Sequence, residues 1–100
     1  MTDVLDWFQS WYAARCDGDW EHCRGVKIST LDNPGWWVEI DLNETPWEDK
    51  EYPRTEVHRT EDDRVVTWIS ELKFHIACGS GNLGEGLTVF RHWTSENAPR

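Results

Sequence analysis

Leu, Ile, Val and Phe are scarce in these 100 residues, together numbering 20. At a net charge of −9 such a chain sits at the edge of the disordered class. Cysteine is sparse and odd in number, with Cys16, Cys23 and Cys78 alone, which argues against a secreted disulfide scaffold. The sequence does not open on a basic segment followed by an apolar run, and no stretch approaches the roughly 18 apolar residues of a membrane span. A cytoplasmic protein without a membrane partner is expected. Bases are also short, 10 against 19 acids. That excess repels nucleic acid and anionic lipid and draws basic partners.

What the chain has instead is tryptophan, eight of them, with two tyrosines. A buried aromatic removes roughly 150–250 Å² from water, so a few indoles replace many aliphatic side chains. One folded domain over residues 1–100 is expected, with a Trp-rich core and some Trp to spare for an interface. The acids cluster as well. Residues 39–63 hold ten acids against Lys50, Arg54 and Arg59, so they carry −7 of the total −9.

Asp3 is placed to cap a helix in which Val4, Leu5, Phe8, Trp11 and Tyr12 share one face. Val26 and Ile28 alternate with Lys27 and Ser29. After Asp32-Asn33-Pro34-Gly35, read as a turn centred on Pro-Gly, Trp36, Val38, Ile40 and Leu42 alternate with Trp37, Glu39 and Asp41. Those two runs form an antiparallel hairpin. Residues 43–53 read as a loop, 52–59 as a short strand and Glu61-Asp62-Asp63 as a turn. From Val65 to Cys78 comes the longest strand candidate, with Val66, Trp68, Leu72, Phe74 and Ile76 on one parity. Asn82 opens a closing helix with Leu83, Leu87 and Phe90 inward. The expected fold is α+β: an antiparallel sheet of about four strands with an N-terminal and a C-terminal helix.

Several motifs fail on their own chemistry. Gly79-Ser80-Gly81-Asn82-Leu83-Gly84 matches a dinucleotide-binding pattern, but no strand pattern follows to supply the ribose-binding acid. Asp17-Gly18-Asp19-Trp20-Glu21-His22 starts like a calcium loop, yet His22 stands where Gly is needed and Ile28 where Glu is needed. Cys16, His22, Cys23, His75 and Cys78 lack the tight pairs usual for zinc. No metal, cofactor or catalytic residue is therefore assigned. The main alternative is a small metal-dependent or hydrolytic enzyme centred on Asp17, Asp19, Glu21 and His22.

The candidate binding residues are Asp17, Asp19, Trp20, Glu21, Trp37, Glu39, Asp41, Glu48, Asp49 and Glu51. Asp17 and Asp19 are expected to order their loop by accepting backbone N–H bonds, leaving Trp20 or Glu21 to a partner. Trp37 beside Glu39 and Asp41 would give a basic partner an indole anchor, provided that face of the sheet is open; if a helix covers each face, Trp37 is core. A non-catalytic adaptor using Trp37 and the sheet edge fits the same residues.

The run from Trp7-Phe8-Gln9-Ser10-Trp11-Tyr12 through Cys16-Asp17-Gly18-Asp19-Trp20-Glu21-His22 and Gly25-Val26-Lys27-Ile28 to Thr30-Leu31-Asp32-Asn33-Pro34-Gly35-Trp36 resembles the immunity protein 53 family. Val38, Ile40, Asp41, Leu42, Trp68 and Ile69, and the helix around Leu83, Leu87, Phe90 and Trp93, continue the likeness. The resemblance implies an α+β antidote in a bacterial polymorphic-toxin system, which binds a cognate protein toxin in the cytoplasm and blocks it. Many such toxins are nucleases with basic active surfaces, so an acidic inhibitor suits them.

Overall fold

The computed structural model describes residues 3–98. The Asp3 carboxylate accepts the Asp6 N–H at 2.8 Å and starts α1, Val4–Arg15. A single turn, α2 (Trp20–Cys23), follows. Five strands come next: β1 (Val26–Leu31), β2 (Gly35–Asp41), β3 (Thr55–His58), β4 (Arg64–Ser70) and β5 (Lys73–Gly79). Helix α3, Leu83–Glu96, completes the α+β architecture. The strands lie in the order β1-β2-β5-β4-β3 and every neighbouring pair is antiparallel.

The fifth strand arises where one long strand was expected. The run from Val65 doubles back at Glu71 and Leu72, whose φ angles are 52° and 60°. Positive φ at both central residues gives the tight hairpin turn whose twist matches its strands. Neither residue is Gly or Asn, so the sequence hides the turn. Ser70 pairs with Lys73 and Ile69 with Phe74. That register reverses the parity: Val66 and Trp68, expected beside Phe74 and Ile76, point to the opposite face.

The first hairpin forms as expected, but its turn is shifted. Leu31 pairs with Gly35, so residues 32–34 make the loop and Gly35 already belongs to β2. Gly35 is needed for space rather than for positive φ. A Cβ there would collide with the Cys78 carbonyl on β5.

Val38, Ile40, Phe74 and Ile76 line the buried face of the sheet, and both long helices pack over it. The Phe90 ring of α3 sits 5.0 Å from Phe74 and 5.0 Å from Trp11 of α1, with Phe8 at 6.0 Å. Helix α1 is rotated from the expected stripe. Trp7 turns inward to reach Phe90 at 6.0 Å, and in exchange Leu5 and Tyr12 are left 55% and 39% exposed. Two apolar side chains assigned to the core thus stand in water.

The loop between β2 and β3 is a strap pinned to the helical layer. Leu42, Thr45 and Trp47 are buried. The Trp47 indole donates to the Thr94 carbonyl and the Trp93 indole to the Glu51 carbonyl, each at 3.0 Å. Asn82 stands at the start of α3 without a side-chain cap bond. It donates instead to Asp63 at 2.9 Å and Glu85 at 3.1 Å, tying the β3–β4 turn to the helix.

Candidate functional site

Because the helices share one face, the other face of the sheet is open. Lys27 and Ser29 of β1, Trp37, Glu39 and Asp41 of β2, Lys73 and His75 of β5 and Trp68 of β4 point there by register. Trp37 is therefore not under a helix. Its ring lies 5.5 Å from Trp68 and 5.8 Å from His75, and His75 stacks on Trp68 at 5.0 Å. The Arg54 guanidinium sits 5.0 Å above Trp68. His75 is buried, its Nε2 is 3.1 Å from Ser70 Oγ, and its Nδ1 has no partner. Trp68 was not among the candidates because the hidden turn assigned it to the wrong face, and His75 and Arg54 gather round Trp37 and Trp68 only through the pairing of the strands.

Glu39 stands between Lys27 and His75 across the strands. It shares an open cleft of about 300 Å³ with Asp41, Lys73 and His22. Asp41 is committed to the fold, since its carboxylate accepts the Gly25 N–H at 2.9 Å and fixes the start of β1.

The Asp17–His22 corner is built on its own backbone. Asp17 Oδ1 accepts the N–H groups of Asp19 and Trp20 at 2.9 Å each. These bonds, Trp20's first, hold the Asp17 carboxyl below its ordinary value. Glu21 takes the N–H groups of Asp17 at 2.9 Å and Gly18 at 2.8 Å. Its own N–H, with those two, lowers its carboxyl in the same way. Glu21, expected to be spare, is thus part of the loop's scaffold, while the Asp19 side chain is exposed. Trp20 is 2% exposed and its indole donates to the Asn43 carbonyl at 2.9 Å, so it belongs to the core and not to the surface. An acid–base reading would draw on carboxylates that the loop already occupies. Among the described residues no three His, Cys, Asp or Glu side chains converge as a metal site.

Glu48, Asp49 and Glu51 are exposed on the strap. The strap grips the helical layer, so these acids and Trp37 lie on different faces. Charge divides the same way. By strand register the open face takes Glu39, Asp41 and Glu56 with Lys27, Arg64 and Lys73, and Arg54 joins it over the Trp68 ring. Removing these three acids and four bases from the totals of 19 and 10 leaves 16 acids against six bases elsewhere in the chain, five of those bases among the described residues. The sheet face is nearly balanced; the helices, strap and turns carry the field.

The sheet is antiparallel throughout, unlike the parallel unit a dinucleotide needs. Gly79 has its own reason, because a Cβ there would strike the Asp62 carbonyl. No helix among the described residues is long and apolar enough to cross a membrane. The family model described as Immunity protein 53 matches residues 5–95. No curated protein and no solved structure matches the chain.

Proposed function

Because the chain belongs to the immunity protein 53 family, we propose that it binds and neutralises a cognate bacterial polymorphic toxin of the nuclease type, from a surface that is acidic and carries tryptophan. It acts in the cytoplasm by occupying the toxin rather than by catalysis. The observation that carries this reading is the division of charge: among the described residues, 16 acids against five bases are neither on the open face by strand register nor at the Trp68 ring. A nuclease holds phosphates with basic side chains, so its active surface is complementary to such a field. The exposed acids of the strap, Glu48, Asp49 and Glu51, steer the encounter. Trp37, with Glu39 beside it, supplies an anchor of the kind that dominates interface energies.

Since strap and anchor stand on different faces, their effects separate. Charge reversal of Glu48, Asp49 and Glu51 to Lys slows association with the toxin domain encoded beside this chain, and leaves dissociation nearly unchanged. Trp37→Ala speeds dissociation by about tenfold or more, equivalent to roughly 1.4 kcal/mol. Stopped-flow or surface kinetics at low and moderate salt read both. Association that ignores salt and charge reversal would reduce the acids to a solubility device.

A further inference from the structure

Three of the four exposed large apolar side chains among the described residues are Leu5, Tyr12 and Ile28. Tyr12 lines a groove, and Leu5 and Ile28 stand farther along the two elements that flank it. An open hollow of about 450 Å³ runs between α1 and the start of β1, lined by Phe8, Gln9, Tyr12, Glu21, Arg24 and Val26 among others. Leu5 lies one helical turn before Gln9 on the same side of α1. Ile28 is two residues beyond Val26 on the same side of β1, and is 43% exposed. Exposed apolar side chains thus continue the line of the groove along both elements, Leu5 on α1 and Ile28 on β1.

Its outer boundary is unusual. β1 is an edge strand, paired with β2 alone, and its six residues contain neither proline nor glycine. Natural edges are commonly short, broken or heavily charged, because free N–H and C=O groups recruit foreign strands. The opposite edge follows that rule: β3 has four residues, follows Pro53 and carries Glu56 and His58. β1 has Lys27 as its one charge and an exposed Ile28 two residues beyond Val26, which lines the hollow.

We propose that β1 and this groove receive an extended segment of the toxin as a sixth strand, with its apolar side chains in the groove and basic ones along the rim. The proposal rests on the toxin-binding reading and names where it happens. Main-chain pairing supplies affinity in such strand addition, and pockets for alternate side chains supply specificity. Charge selects the occupant. Asp3, Asp6, Asp17, Asp19 and Glu21 lie on α1 and its corner with α2. The nearby Arg15 is stacked between Trp11 and Trp47 at 5.5 and 5.1 Å, and Arg24 reaches Glu44 at 3.8 Å. A second copy of this chain would bring the same acids to the rim, whereas a basic strand is complementary. The segment's alternate side chains would fall on the open face beside Ser29, one strand from Trp37, so groove and indole serve one partner.

The test uses the full chain and the toxin domain encoded beside it. Ile28→Lys and Leu5→Lys, one on each wall, should each weaken binding about tenfold or more, with unchanged circular dichroism. Leu72→Lys, at the fourth exposed apolar site, should bind as the parent does. Hydrogen exchange over residues 26–31 should slow when toxin is added. Tight binding by both wall variants, with β1 exchange unchanged, overturns the groove and leaves the toxin-binding reading standing. Failure of the parent chain to bind overturns both. A parent dimer in sedimentation that Ile28→Lys dissolves assigns the groove to a second copy and overturns the proposal.

Discussion

Asp17 and Asp19 are two residues apart, both exposed, and do different work. Asp17 receives two backbone N–H groups, while Asp19, at the start of α2, makes no side-chain cap bond. Asp17→Asn should lower the melting temperature, and Asp19→Asn should leave it within error. The pH dependence gives an independent reading. The Asp17 and Glu21 carboxyls bind protons less readily folded than unfolded, because N–H groups donate to their charged forms. Their contribution is complete above the ordinary values of 3.8 and 4.5 and disappears as pH falls through the lowered folded values. The difference in melting temperature between parent and Asp17→Asn should therefore be full near neutrality and close below pH 3.8. A gap that persists in acid would mean the variant disturbs packing rather than the charge. The Trp20 indole above this corner illustrates the limits of residue-level reading, since a polar loop and an N–H gave no sign that the side chain was core.

At the scale of elements, α3 carries two glycines that act in opposite ways. Gly86 lies directly on β5, where a Cβ would stand 2.6 Å from Ile76 Cγ2. Gly84 faces open space, with nothing within 4 Å of a Cβ. In a helix, Gly→Ala gains about 1 kcal/mol of propensity. Gly84→Ala should therefore raise stability by up to about 1 kcal/mol, while Gly86→Ala should lower it, because overpacking a well-filled core costs roughly 1–3 kcal/mol. Urea titrations of the two variants decide the matter, and equal shifts would show that α3 does not dock so closely. Helix α1 teaches the complementary lesson. Its apolar period was plain, but five candidate positions span a wider arc than one contact can bury, and Trp7 competed for the inside. Which of them faced Phe90 depended on α3, an element that begins 68 positions after α1 ends. The β4–β5 turn was likewise invisible, for Glu71 and Leu72 have no intrinsic preference for positive φ.

The whole molecule is organised by charge as much as by its core. A chain of −9 pushes on itself, and its described ion pairs are exposed ones such as Arg59 with Asp63 and Glu85. Exposed pairs contribute little and repulsion is long-ranged. Raising salt from about 10 mM to about 150 mM shortens the screening length from roughly 30 to 8 Å. The melting temperature should rise over that range. A fall would show that the Arg59 network outweighs the self-repulsion. The same screening would weaken the proposed steering of a basic toxin, so stability and association rate should move in opposite directions with salt.

The sequence by itself determined the α+β class, the cap at Asp3, the first hairpin, the acidic excess and the family likeness. Each rests on local period, local composition or a matched run of residues. The tertiary structure alone decided that both helices share one face and so left Trp37 open. It also buried Trp20, turned Leu5 and Tyr12 outward near an edge strand, and set the strap's acids on a different face from Trp37 and Trp68. Those outcomes depend on which side of each element meets another, and a sheet face or a helix stripe has no inside until its partner arrives.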